Sequence, residues 1–262
     1  MNRRCYIATI IFLFLLLPSI GNNASLSSDH SSLSFKCEFG SRLEPCTEFK
    51  IVSDLEDQDL SGPKIFGDNI VWVDHRNGNP DIYMYKISSG EIIPICTLPS
   101  HQIQVDIWGD KVVWRDYRND PDGKMTCGGP DNSDIYMYNI TTGQEYPLCT
   151  KLSNQLEPYV YKNRVVYYDT EANESYPRGI YMYDLDQGKE IPLIVNNGYQ
   201  DYISGIWGDY IVFKRNTYES EPLGVFIYEI STGSENKLSD SYHSPNIFND
   251  KVVWETEAVS EV

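Results

Sequence analysis

Four acidic side chains stand out as groups able to do chemistry: Asp59, Asp106, Glu157 and Asp201. Each lies within or just ahead of an apolar-aromatic stretch that recurs along the chain. A fold that superposes those stretches gathers the four carboxylates, with Asp57 and Asp240, around one mouth. Converging carboxylates suit three kinds of chemistry. They hold a ligand by hydrogen bonds, they coordinate Ca²⁺ with six to eight oxygens, or as a pair they cleave a glycosidic bond. The chain has 38 acidic residues against 21 basic ones, so several acids fall on any surface by numbers alone. No calcium-loop spacing is present. The histidines at 30, 75, 101 and 243 have no metal-ligand spacing, and neither a Ser–His–Asp arrangement nor a phosphate-cradling glycine loop can be assembled. Binding without turnover is therefore the favoured chemistry, with Asp59, Asp106, Glu157 and Asp201 as ligand contacts and no catalytic residue. No cofactor is required; Ca²⁺ is the one ion the acids suit.

The elements that must position these acids announce themselves as repeats. Five segments read apolar-aromatic, tight turn, β-branched run, beginning at Ile65, Ile107, Val160, Ile206 and Ile247, which are 42, 53, 46 and 41 residues apart. Each of the first four continues into a short aromatic strand, such as Asp81-Ile82-Tyr83-Met84-Tyr85 or Asp134-Ile135-Tyr136-Met137-Tyr138. A glycine turn and a fourth strand follow, the latter carrying Pro94 or Pro147. Proline lacks the N–H that a ladder needs, so that strand belongs at an edge. The expected architecture is all-β: a propeller of four-stranded antiparallel blades, strands a to d from centre to rim. Its fifth blade takes strands a and b from the C-terminus. Strands c and d would come from residues 33–39 and 48–52, closing the ring and hiding its edges. A piece of a larger ring is the competing reading.

Before the repeats, Arg3 and Arg4 precede an apolar run over residues 6–20, and Ser19-Ile20-Gly21 offers small residues for cleavage. Residues 1–21 thus read as a signal peptide, residues 22–32 as a flexible segment and residues 33–262 as the propeller. An uncleaved anchor is the alternative, although the run is short beside the ~20 residues of a span. Five cysteines follow the signal, and in an oxidising compartment some should pair. Cys37 with Cys46 fits the hairpin of the shared blade. Cys127 suits Cys149 or Cys96. The net charge of −17 argues against nucleic acid and anionic membrane as partners.

The pattern Trp108 to Asn119 with Asp134 to Gly143, and its copy Ile65 to Asn77 with Asp81 to Gly90, resembles the TolB-like family of β-propeller repeats. That resemblance implies export to the periplasm or cell surface and binding of a protein or other ligand. It carries no catalytic residue across. The chain lacks the α/β domain that precedes the propeller in TolB itself, so a part in the Tol system does not follow.

Loop lengths sort the two faces. The a–b and c–d turns are short throughout, whereas the b–c loops and d–a connections vary, with an insertion over residues 120–130 in the second repeat. Varied loops on a rigid scaffold are a usual place for binding. The reading is a monomeric exported module that binds a protein or envelope glycan. The alternative is a polysaccharide hydrolase resembling five-bladed arabinanases and using the mouth carboxylates Asp59, Asp106 and Glu157. The recurring aromatics, the Phe66 set and the Trp72 set alike, are expected to pack blade against blade.

Overall fold

The computed structural model describes residues 62–125, 132–170, 178–195, 198–217, 221–240 and 243–255, all within the compact unit Leu55–Val262. The signal segment, residues 33–52 with Cys37 and Cys46, the acids Asp57 and Asp59, and Cys127 lie outside them. Among the described residues every regular element is a strand, and no helix is long and apolar enough to cross a membrane.

The strands form four four-stranded antiparallel sheets and one two-stranded sheet. Blade 1 is β1 (Lys64–Phe66), β2 (Asn69–Asp74), β3 (Asp81–Lys86) and β4 (Glu91–Cys96). Blade 2 is β5 (Gln102–Trp108), β6 (Lys111–Asp116), β7 (Asp134–Asn139) and β8 (Gln144–Cys149). Blade 3 is β9 (Gln155–Tyr161), β10 (Arg164–Asp169), β11 (Gly179–Asp184) and β12 (Lys189–Val195). Blade 4 is β13 (Gln200–Trp207), β14 (Tyr210–Asn216), β15 (Pro222–Glu229) and β16 (Ser234–Ser239). The last pair, β17 (Asn246–Phe248) and β18 (Lys251–Val253), corresponds to strands a and b of a further blade.

Local chemistry explains the pleat. The b and c strands read as unbroken apolar runs because both their faces are covered by neighbouring sheets. Each a–b turn needs a left-handed residue, and Gly67, Gly109 and Gly208 supply it with φ of 56°, 62° and 63°. Lys162 and Asn249 take the same conformation in the other two repeats. On the outermost strands Pro94, Pro147 and Pro192 face Tyr83, Tyr136 and Tyr181, each beside a β-bulge. These three prolines stand on the edge strand, as expected. Blade 4 keeps the bulge with Lys237 in that place.

The cores lie between sheets. Val71, Ile82 and Ile95 of blade 1 pack on Ile103, Val112 and Trp114 of blade 2. Ile135 and Met137 meet Val165 and Tyr167, and Ile180 and Ile194 meet Ile211 and Phe213. Strands β1, β5, β9, β13 and β17 neighbour one another in succession, which makes them the inner strands. At the other end, Gln102 N–H donates to Pro80 O and Gln155 N–H to Ser133 O, both at 2.8 Å, so β5 and β9 are each stitched to the preceding blade. Gln102 and Gln155 also turn their amides onto the serine carbonyls and hydroxyls two residues earlier, fixing the d–a connections.

Candidate functional site

The motif Asp-x-Arg-Asn … Asp-Ile-Tyr builds a clasp inside blades 1 and 2. In blade 2 the Asp116 carboxylate, fully buried at the end of β6, accepts from Trp114 Nε1 at 2.8 Å and from Arg118 at 2.6 Å. Arg118 reaches on to Glu145 at 2.5 Å and lies over the Tyr136 ring at 3.7 Å. Asn119 closes the set by donating to Asp134 at 2.7 Å. Blade 1 repeats it with Trp72, Asp74, Arg76, Tyr83, Asn77 and Asp81. A cation between a carboxylate and a ring face gains from both. The motif that carries the family resemblance is therefore architectural.

Blade 3 draws its cation from elsewhere. Lys151, on the incoming connection, sits 3.1 Å from Asp169, 2.7 Å from Glu190 and 4.4 Å from the Tyr181 ring. Tyr167 donates its hydroxyl to Glu190. Blade 4 reverses the signs. Arg215 stands where the other blades have the buried aspartate, and it takes Asp201 at 2.6 Å and Glu235 at 2.6 Å while covering the Phe226 ring. Burial lowers the Arg215 pKa, but Asp201 and Glu235 outweigh it and raise the value overall.

Asp201 therefore does not join Asp106 and Glu157 as a free ligand contact. Its side chain is fully buried and both oxygens are bound to Arg215. Asp240, in contrast, is exposed beside Lys237. The other two acids both lie on the inner strands. Asp106 accepts the Val160 N–H of blade 3 at 2.9 Å, and burial raises its pKa, with Lys64 of blade 1 offsetting part of the rise. Glu157 N–H donates to Gln104 Oε1 of blade 2 at 3.2 Å. The Glu157 carboxyl accepts the Ile203 N–H of blade 4, while burial pushes its pKa up to about 7. Gln104 and Glu157 both adopt a left-handed backbone, φ 54° and 53°, within the irregular stretches of β5 and β9. Such bulges re-aim side chains, and here they turn two polar groups across the seam between blades.

The recurring aromatics divide into two populations. Trp114, Tyr167 and Phe213 are buried between sheets, as expected of the Trp72 set. The Phe66 set differs from the expectation. Trp108 and Trp207 belong to non-adjacent blades, yet their rings are 5.0 Å apart. Phe66, Tyr161 and Phe248 join them at 4.7, 4.4 and 4.4 Å. These rings meet at the a–b turns, at the plain-turn end of the inner strands.

At the opposite end the blade 2 insertion is tied down. Asp120 accepts from the Asp122 and Asn132 N–H groups. His101, on the connection entering blade 2, donates to Gly123 O at 2.8 Å and accepts the Met125 N–H at 3.3 Å. With its amide turned the better way, Asn132 donates to Lys151 O at 2.8 Å and Ser153 O at 3.2 Å. Asn79 makes the matching bonds to Leu98 O and Ser100 O one blade earlier. The insertion is thus tied to the connection entering blade 2, and Asn132, just after it, to the connection entering blade 3. Leu152 beside it is 92% exposed.

Two further expectations concern cysteines and metal. Cys149 is a free, buried thiol 3.6 Å from Glu190, and Cys96 is a free thiol 3.4 Å from Arg118. Cys127, the partner expected for one of them, lies outside the described residues. Among the described residues no group of three or more His, Cys, Asp or Glu is placed to hold a metal ion.

These blades are those of a TolB-like propeller. A TolB structure from Acinetobacter baumannii superposes with a TM-score of 0.54 at 19% identity, over 70% of this chain and 44% of that one. A putative TolB from Agrobacterium tumefaciens superposes with a TM-score of 0.52 at 16% identity, over 67% of this chain and 62% of that one. The chain thus spans less than two thirds of either protein's length, and the likeness is one of fold. No protein-family model matches the sequence, and no curated protein matches it.

Proposed function

We propose that the chain is an exported envelope propeller that binds a protein or an envelope glycan through its loop face, without turning it over. The observation that carries this reading is the contrast between the ends of the inner strands. Aromatic rings meet at one end, whereas at the other an insertion is anchored to the connection entering blade 2 on a rigid scaffold. Residues 120–125, with the exposed Leu152, supply its described contact surface. The signal-like N-terminus and the TolB-like fold support export to the periplasm or cell surface. The strong negative charge favours a cationic partner, whose binding weakens as salt rises. Asp106 and Glu157 bind backbone groups of neighbouring blades, so they serve the scaffold under this surface.

Replacing residues 120–131 by one glycine recreates the Arg-Asn-Gly-Asn spacing of blade 1 and tests the reading. The shortened chain should melt as the parent does and lose the partners that the mature parent retains from native envelope. Equal capture by both chains would move the site off this loop. Release of sugar from a polysaccharide panel, lost on Asp106→Asn, would instead establish the hydrolase.

A further inference from the structure

Glu157 is placed as no other described acid is. It touches three blades: its N–H reaches Gln104 on β5, its own strand is β9, and its carboxyl takes the Ile203 N–H of β13. The residue keeps partial exposure, yet Oε2 is sealed from solvent and has no hydrogen-bond partner. The charged groups that act on it are Arg115 on β6 and Lys214 on β14; it acts in turn on the Tyr159 phenol of its own strand, as Asp106 on β5 does. Lys64 of β1 lies over the Tyr159 ring at 5.5 Å and acts on Asp106. Arg115 is held by Ser133 at 2.7 Å, and Lys214 lies over the Tyr202 ring at 5.2 Å. These cations favour the charged form of Glu157 less than burial opposes it.

A carboxylate oxygen with no donor, sealed from water, is costly to ionise; a neutral carboxyl in the same place is not. We propose that Glu157 is a proton-sensitive contact at the seam of blades 2, 3 and 4, neutral when the seam is closed and weakening it when ionised.

The sign follows from linkage. In the unfolded chain Glu157 ionises near its ordinary value of 4.5. In the folded chain burial holds the proton on until about 7. Between those values the folded state binds more protons, so the stability supplied by the neutral form is full below 4.5 and is lost as pH rises toward 7. Above 7 no further loss comes from this group.

Two measurements on the mature chain test this. Carbon-13 NMR of labelled glutamate carboxyls should show Glu157 titrating near neutrality. Melting temperatures of the parent and of Glu157→Gln should agree near pH 4.5, diverge in favour of the variant as pH rises, and differ by a constant amount above 7. The protection factor of the Ile203 amide, taken against its intrinsic exchange rate at each pH, should fall over the same range in the parent only. A Glu157 carboxyl that titrates at its ordinary value overturns the proposal, and so does a melting difference that does not change with pH. Should the variant fail to fold, the carboxyl titration of the unsubstituted chain decides alone.

Discussion

Blades 1 and 2 write their clasp into one short stretch, while blades 3 and 4 assemble theirs from distant ones. In blade 2 the acid, the cation and the amide are Asp116, Arg118 and Asn119, and the partner acid Asp134 opens the next strand. In blade 3 the cation comes from before the inner strand, and in blade 4 cation and acid have exchanged strands. Where Asp81 and Asp134 begin strand c in the first pair, the corresponding positions in the second are Gly179 and Gly224. The shared constant is a geometry: a cation over the strand c ring, touching a fully buried acid. Sequence identity at any one position is not needed to keep it.

The sharpest way to separate the two versions is to remove the cation from each. Arg215 is almost wholly buried and serves two acids, one of them fully buried. Arg215→Met should cost about 3–5 kcal/mol, the usual loss when a buried charge is left unpaired. Arg118 is more exposed, and Asp116 would keep the Trp114 N–H and the residue 118 backbone N–H. Arg118→Met should cost only about 1–2 kcal/mol. Urea midpoints measure both. Equal losses would show that the placement of the clasp, and not its burial, sets its worth.

The glycines give the next largest effect. A Cβ on Gly224 would stand 2.1 Å from Ser239 O, and one on Gly179 would stand 2.0 Å from Ile194 O. Their φ values of 122° and 151° also suit glycine alone. Gly224→Ala should cost about 2–4 kcal/mol from crowding and backbone strain together. In blades 1 and 2 the corresponding change, Asp81→Ala, removes only hydrogen bonds from Asn77 and Asn79. It should cost about 1–2 kcal/mol. A Gly224→Ala chain that melts with the parent would mean the second pair of blades can adopt the strand c start of the first.

This comparison also marks what the residues disclose by themselves. The period, the four strands, the edge prolines and the two unlike faces follow from local patterns, because turns and ladders are set within a few residues. The clasp of blades 1 and 2 was visible as a motif, although not its purpose. Lys151, Arg215 and Glu235 were not visible: the two cations reach the Tyr181 and Phe226 rings from outside strand c, and Glu235 joins Arg215 from a further strand. Asp201 misled for the same reason: its partner lies fourteen residues on and replaces an aspartate. Nor can a repeat position show whether its ring turns between sheets, as Trp114 does, or toward the rings of other blades, as Trp108 does. That depends on how the sheets are set around the inner strands.

The smallest expected effect concerns the thiols. Cys96 and Cys149 end strand d of blades 1 and 2, where blade 3 has Ile194. Each thiol packs against the clasp of the next blade: Cys96 against Arg118 and Asp116, Cys149 against Tyr167 and Glu190. Burial, with the neighbouring carboxylates adding to it, pushes both thiols up to about 12, so thiolate is scarce at neutral pH and reaction with electrophiles is slow. Iodoacetamide at pH 8 should leave both unmodified in the folded chain and label both in urea. Truncation should follow side-chain volume, with Cys149→Ala costing about 1 kcal/mol and Ile194→Ala about 2–4 kcal/mol. Rapid labelling of Cys149 in the folded chain would mean that the seam between blades 2 and 3 opens readily. A peptide map joining Cys149 to Cys127 would go further, because a bridge there must pull the sulfur out of its packing against Glu190 and Tyr167. The clasp of blade 3 would then have to form without it, and the loss on Lys151→Met in the oxidised chain would show whether it does.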